Sequence, residues 1–475
     1  MPAPLGRIAL DHIIGALGLQ AGDPFLMSPI NIPEMLSIVQ LRGLRPGFVD
    51  FGDASLFPCL DDLTRKLDET GAKVFFLTVL AGQLGDLSAL REICDLRGVT
   101  LIIDATQANL CQFRGRSLVG WSDVAFFSTC ELKFVHTYRG AMICTDRADI
   151  HRRLQCQPEL RPQRLDKVFL KWTSDFAASV VLSPRLFTAF FHRLAPWILI
   201  QDPLAEWRDC RVRIGPFSFY GNDVARMKYA IPEDMFFALS DFEALVGLEA
   251  LIALRPLVAH HRKIAAKYVE LFSNLGMLPR SHVDAISSYW RFPVILPSAG
   301  EALHFREAMR SYGVHAERTG LSLLSNEVPK ALDIIQRTVF IPCHAGISLV
   351  LAERIIEAVK LALRQPRADA PNHSEIFGTL SQVWAKVSRQ ADVKFRAETV
   401  AKDVEGWDSL RHISFISAVE MEFKIHLTTT EIISLENVGD LEKLITAKIA
   451  SEKRSARIAQ DAPHYVPIRM KPGRK

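Results

Sequence analysis

Residues 101–146 read LIIDATQANLCQFRGRSLVGWSDVAFFSTCELKFVHTYRGAMICTD, and three short apolar runs stand in or next to this stretch. The first, Thr100 to Ile103, ends in the carboxylate of Asp104, and the second, Val124 to Phe127, ends in Ser128. Lys133 follows, and after Gly140 comes the third run, Ala141 to Cys144. Runs of this length that end in polar residues predict parallel strands with chemistry at their carboxyl ends. Upstream, Leu60, Leu63 and Leu67 share a helical face, and Val74 to Leu80 predicts a buried strand. Leu87, Leu90, Ile93 and Cys94 predict the next helix, which Arg97-Gly98 ends. Strand, helix and strand at this spacing make the crossover unit of a parallel sheet, so the fold class is α/β.

A lone lysine is ordinarily a solvated surface residue, and a lone aspartate after a strand is ordinarily a turn or cap residue. Together they meet the needs of a pyridoxal phosphate site. A lysine forms the Schiff base, and an acid keeps the pyridine nitrogen protonated so that the ring draws electrons. Hydroxyls and backbone N–H groups hold the phosphate.

Three stretches carry a family likeness: Asp104-Ala105-Thr106-Gln107-Ala108, Ser122-Asp123-Val124-Ala125-Phe126-Phe127-Ser128 with Lys133 beyond it, and Gly140-Ala141. They resemble the DegT/DnrJ/EryC1 aminotransferases, pyridoxal phosphate enzymes of the type I aminotransferase fold, many of which aminate keto-sugars. The resemblance covers about residues 3 to 365. It implies a parallel or mixed sheet with flanking helices and a small C-terminal subdomain. It also implies Lys133 as the Schiff-base lysine, Asp104 at the pyridine nitrogen, Gln107 near the ring oxygen and Ser128 on the phosphate. Gly6 and Arg7 stand where the family cradles the phosphate at a helix N-terminus. Relatives that act as dehydratases carry histidine in place of the lysine, and Lys133 argues against that branch although His136 is close by.

The chain departs from the family pattern in places. Leu5 replaces the first hydroxyl of the phosphate turn, and Ile32 stands where the family stacks an aromatic ring on the cofactor. Family members carry an arm before the turn, whereas Met1 stands almost on it, so a missing arm is expected.

The chain has 475 residues, enough for two or three domains, with 49% hydrophobic and 23% charged residues, which reads as soluble and globular. A net charge of +4, without a basic-aromatic motif, argues against nucleic acid as a partner. Eight cysteines stand singly, with no CxxC, which argues against zinc and a disulfide framework. Most are expected as reduced core residues of a cytoplasmic protein. No signal peptide is read at the start, and Leu186 to Ile200 is shorter than the ~20 residues of a membrane span. It is read as a core or interface segment. Residues 150–230 fit an irregular helical connection, and the fold family implies a homodimer.

A capping box at Ser240-Asp241-Phe242-Glu243 opens a helix with Leu245, Leu248, Leu251 and Ile252 on one side. A second helix is expected at about His260 to Leu275, a strand at Tyr289 to Val294, and a helix at Leu303 to Tyr312 ended by Gly313. Val339 to His344 reads as the last strand and turn, and Ala352 to Leu363 as the closing helix. Residues 366–373 read as a linker.

Residues 374–450 read as helices. Ile376, Phe377, Leu380, Val383, Trp384 and Val387 stripe the first, and Ile413, Ile416, Val419 and Phe423 a later one. Asp408-Ser409-Leu410, Val419-Glu420-Met421-Glu422-Phe423 and Val438-Gly439-Asp440-Leu441 resemble an acyl carrier protein. The resemblance implies an all-α four-helix bundle with 4′-phosphopantetheine on Ser409, added by a phosphopantetheinyl transferase and charged by acyl-loading enzymes. Arg411-His412 departs from the acidic face of that family. Residues 451–475 form a basic tail expected to be disordered.

The reading is a pyridoxal phosphate aminotransferase that moves an amino group from a small-molecule donor to a keto acceptor. The acceptor is a keto-sugar or an acyl group tethered to the carrier domain. The alternative is a scaffold that has lost turnover and docks partners for the carrier, which the missing arm, Leu5 and Ile32 favour.

Overall fold

The computed structural model describes residues 1–130, 133–137, 139–156, 160–161, 173, 227, 229–364, 373–388, 393–407, 409–423, 425, 427, 432, 435, 437–446 and 448. The chain divides into two compact units, Met1–Ala362 and Leu363–Lys475. The expected connection over 150–230, the Leu186 to Ile200 stretch, the linker and the tail lie wholly or mostly outside the described residues.

In the first unit, seven of the described strands make one sheet: β1 (Pro2–Ala3), β2 (Pro24–Met27), β4 (Arg45–Phe48), β5 (Val74–Thr78), β6 (Thr100–Asp104), β9 (Val124–Ser128) and β10 (Ala141–Cys144). Their order is β1-β10-β9-β6-β5-β2-β4. The five strands from β9 to β4 run parallel. β10 is antiparallel to β9, which corrects the expectation that all three runs are parallel. The connection from Ser128 to Ala141 is closed on itself by Thr129 N–H to Gly140 O, so the chain folds straight back.

Alternation along the strands covers both faces. Val74, Phe76, Ile102, Val124 and Phe126 face α1 (Gly6–Leu17) and α2 (Pro33–Leu41). Phe75, Leu77, Leu101, Ile103 and Ala125 face α3 (Leu60–Thr70) and α4 (Leu87–Arg97). A parallel sheet with both faces buried requires such near-continuous apolar strands. Gly71 and Gly98 close the latter two helices in the left-handed conformation. From β2 the chain goes to β4 on one side and then to β5 on the other. Such a reversal, at the carboxyl ends of β2 and β5, is the place where α/β sheets bind ligands.

After β10, α5 (Ala148–Gln155) packs Ile150 and Leu154 into the core beside α1. From Ser240 onward the chain forms the small subdomain. Helix α6 (Asp241–Asn274) starts with the expected capping box, Ser240 with Glu243. The two helices expected here are one, running through Pro256. Leu254, Val258, Ile264, Ala265, Tyr268 and Phe272 are buried along one side and outweigh the hydrogen bond that the proline removes. Leu245, Leu248, Leu251 and Ile252 do share a side, and it is exposed. β12 (Phe292–Ile295) pairs with β14 (Thr338–Ile341) under α7 (Ala299–Ser311) and α8 (Pro329–Arg337), and α9 (Leu349–Arg364) closes the unit. β12 starts later than expected because Tyr289 has a left-handed backbone, φ 50°. Of the seven described cysteines, Cys94, Cys111 and Cys343 are buried; Cys59, Cys130 and Cys144 are half-buried and Cys156 is exposed, so the core expectation holds for three.

The second unit has α10 (His373–Ser388), a 3-10 turn at Ala401–Asp403, α11 (Ser409–Phe423) and a helix over 438–446. Its core stacks Trp384 on Trp407 at 4.6 Å between centroids, with Phe395 and Phe415 against both. Ser409 is the first residue of α11, and Asp408 lies outside the described residues.

At the centre of the sheet, Phe76 is fully buried between Phe25 and Phe126, at 6.3 and 6.0 Å. Phe76→Ala is expected to cost about 3–5 kcal/mol, seen as a lower midpoint in denaturant unfolding of the first unit.

Candidate active site

The chemistry-bearing residues gather at the carboxyl ends of the parallel strands. Asp104 ends β6 and is 2% exposed. Its Oδ1 accepts the Thr106 N–H at 3.1 Å, and its Oδ2 accepts from Asn31 Nδ2 at 3.2 Å. Asn31, in β3 (Ile30–Asn31), also donates from Nδ2 to Thr78 Oγ1 at 2.8 Å, at the end of β5. A buried amide therefore ties the crevice to the carboxylate. Burial pushes the Asp104 carboxyl above the usual range, and Thr106, Asn31 and the Lys133 charge pull it back.

Lys133 rides on the loop between β9 and β10. Thr129 closes that loop by donating its N–H to Gly140 O at 2.9 Å, and Thr137 donates its own N–H to Thr129 O at 2.8 Å. Gly140 has φ 123°, and a Cβ there would lie 2.7 Å from Thr129 Oγ1, so no side chain fits. Phe134 and Val135 pack on Leu254 and Val258 of α6 and anchor the loop from the other side. Burial pushes the Lys133 amine below the ordinary lysine range; Asp104 and Cys130 oppose this and Arg291 adds to it. Lys133 thus lies within the electrostatic influence of Asp104. Nζ also lies 4.8 Å from the centroid of the Trp290 ring.

The N-terminus of α1 meets the end of β9. A Cβ on Gly6 would touch Ser128 Cβ at 3.6 Å. First-turn N–H groups have no intrahelical partner, and Leu5 supplies no side-chain cap. Ser128 is buried, its Oγ accepting the Cys130 N–H at 3.3 Å. Arg7 is the second residue of α1, and its guanidinium lies 4.0 Å from Glu34. Gln107 is buried, and its Oε1 accepts the Ala81 N–H at 2.8 Å, which leaves the amide NH2 as the end that can meet a ring oxygen. Ile32 caps α2 and packs at the edge of the first core cluster. The aromatic face at the site comes from Trp290.

The donor set fits pyridoxal phosphate: an amine with a lowered pKa, a buried carboxylate held by two donors, and an uncapped helix N-terminus beside a serine. Residues 6–163 match the model of the DegT/DnrJ/EryC1/StrS aminotransferase family. Over residues 6–163 the chain is thus similar to a DegT/DnrJ/EryC1 aminotransferase domain. A dTDP-4-dehydro-2,3,6-trideoxy-D-glucose 4-aminotransferase of Saccharopolyspora spinosa is 23% identical over 353 residues, 72% of this chain and 78% of that protein. A dTDP-3-amino-3,4,6-trideoxy-alpha-D-glucose transaminase of Micromonospora megalomicea is 35% identical over 145 residues, 30% of this chain and 38% of that protein. Four further curated relatives are matched over 36–40% of their own length. The aminotransferase domain shares its fold with the aminotransferase TlmJ from Streptoalloteichus hindustanus, at TM-score 0.55 and 21% identity over 76% of this chain and 85% of that one. These comparisons support a pyridoxal phosphate-dependent aminotransferase.

Asn31 and Trp290 were not found from sequence. Asn31 carries no signal in the sequence that ties it to Asp104, 73 residues on. Trp290 reads as one more apolar residue of a strand. For Asn31, removing the side chain deletes a hydrogen bond to the charged form of Asp104. Asn31→Ala should therefore move the acid limb of pyridoxal phosphate binding up by about one pH unit, measured by titrating affinity against pH.

Proposed function

We propose that this protein is an aminotransferase that takes an amino group from a small-molecule donor and delivers it to a ketone or aldehyde, with Lys133 and Asp104 as its catalytic residues. The observation that carries the reading is the Asp104–Lys133 pair at the strand ends, beside the junction of Gly6 with Ser128. Pyridoxal phosphate, when bound, supplies the electron sink that makes an α-carbon acidic. The chain's own residues do the rest. The first-turn N–H groups at Gly6 and Arg7 and the Ser128 hydroxyl hold the phosphate, and Gln107 orients the ring through its amide. Asp104 holds the charge of the pyridine nitrogen, and Asn31 and Thr106 fix the carboxylate. Lys133 Nζ, desolvated and able to shed its proton, takes up and returns the proton that amino transfer moves.

The acceptor is proposed as a keto-sugar, since both curated relatives described above are by name enzymes of dTDP-sugars, or as an acyl group on the carrier domain. The second unit is proposed as a carrier bearing 4′-phosphopantetheine on Ser409. Its support is the position of Ser409 at the start of a 15-residue helix, over a core of Trp384, Trp407, Phe395 and Phe415. A helix N-terminus favours the phosphodiester. Tethering raises the effective concentration of the acceptor. A homodimer in the cytoplasm, with a phosphopantetheinyl transferase and acyl-loading enzymes as partners, completes the proposal. The scaffold alternative would leave the buried Asp104 carboxylate with no use for its desolvation cost.

Borohydride reduction of the yellow protein followed by peptide mapping is expected to place the pyridoxyl adduct on Lys133. An adduct on another lysine would overturn the site. Lys133→Arg should lower kcat by at least about 100-fold. Separately, coenzyme A and an active phosphopantetheinyl transferase should add one arm by intact mass. Ser409→Ala should abolish the addition and Lys133→Ala should leave it unchanged. No mass gain by the wild type would end the carrier reading.

A further inference from the structure

We propose that Trp290 is a positioning residue for Lys133: its indole face carries the Lys133 Nζ and sets both where the amine stands and how readily it gives up its proton. The inference rests on the reading of Lys133 as the cofactor lysine. Nζ lies 4.8 Å from the ring centroid, within the distance at which a cation is held by the quadrupole of a ring.

The backbone is built to aim this ring. Tyr289, immediately before it, has φ 50°, a conformation that costs a bulky residue free energy and persists only where its surroundings enforce it. Here three contacts enforce it. Tyr289 donates its N–H to Ser287 Oγ at 3.0 Å. Its carbonyl accepts from His261 Nδ1 at 2.9 Å. Its ring stacks on Phe292 with centroids 5.6 Å apart. His261 also packs edge-on against Phe134, the neighbour of Lys133, at 4.9 Å. One buried histidine therefore braces both the lysine loop and the peptide that turns Trp290. Trp290 itself joins Phe134, Val135, Leu254 and Val258 in one apolar cluster.

The charged groups facing Lys133 come from three elements. Asp104 at the end of β6 raises its pKa, Cys130 on its own loop does the same, and Arg291 beside Trp290 lowers it. Arg291 lies 4.6 Å from the Trp290 ring centroid and is ion-paired to Glu317 at 2.7 Å. Trp290 is the group that lets two cations share one site: its ring accepts both, while Glu317 draws Arg291 aside. An indole face favours the ammonium form. Removing it deletes that support and leaves Arg291, so the Lys133 pKa falls.

The test uses the full-length protein freed of cofactor. The rate at which it captures pyridoxal phosphate is followed by absorbance across pH, and borohydride mapping identifies the lysine captured. Trp290→Leu and Trp290→Met are expected to lower the pH midpoint of capture by about half a unit to one unit. Trp290→Phe, with a weaker π face, should lower it by less. An unchanged midpoint in a variant whose circular dichroism is that of the wild type, with the adduct still on Lys133, would overturn the proposal. An upward shift would overturn it too, since it would mean that the ring only keeps water out. Failure of the underlying reading is distinct: Lys133→Arg would then capture the cofactor as the wild type does.

Discussion

At the end of a parallel sheet a buried carboxylate, Asp104, stands in the field of the half-buried Lys133 amine, and the architecture around them serves to make that tolerable. Asp104 is enclosed on β6, and the Lys133 amine reaches its field from the next connection. Each alone would be expensive to bury, and each offsets part of the other's cost. Burial raises the carboxyl and depresses the amine. The two act on stability in opposite pH ranges. Asp104 contributes stability below the ordinary carboxylate pKa that is lost as pH rises through its raised value. Lys133 burdens the cofactor-free fold below its depressed pKa, and this burden lifts as pH climbs from there toward the ordinary lysine value. Asn31, Thr106 and the loop closure at Gly140 are the supports of that arrangement. A cofactor with a pyridinium nitrogen and an aldehyde answers both charges at once.

The parts of this site that sequence reveals are those fixed by neighbours in the chain. Asp104, Gln107, Ser128 and Lys133 lie within one stretch whose strands are apolar on both faces, and the pattern of a buried parallel sheet is hard to mistake. The direction of β10 is not legible in its own residues, because strand direction depends on the connection and not on the strand. The helix through Pro256 was split because local propensity speaks against proline, while the stripe from Leu254 to Phe272 that overrides it is a tertiary fact. Asn31 and Trp290 stay silent for the same reason. The first acts on Asp104 across 73 positions of sequence, and the second meets Lys133 only because a left-handed residue redirects the chain.

The second unit shows a different economy. Its core is small, and four aromatic rings supply much of it, with Trp407 donating from its indole nitrogen to His412 Nδ1 at 3.1 Å. That hydrogen bond ties the turn before α11 to its first turns. Val404 and Trp407 fix the approach, and Phe415, Ile416 and Val419 fix the helix. The start of α11 is thus held in place by the packing behind it.

Helix α6 has 34 residues in one piece, a rod on the order of 50 Å long. Near one end Gly247 lies so close to Thr137 of the lysine loop that a Cβ would meet its methyl group at 2.7 Å. Toward the other end Tyr268 and Phe272 grip Phe292 of β12. A rod does not absorb rotation along its length. A swing of the small subdomain by a few degrees would become a displacement of ångströms at the loop that carries the amine. The loop that carries Lys133 and the strand β12 are thus joined through one helix.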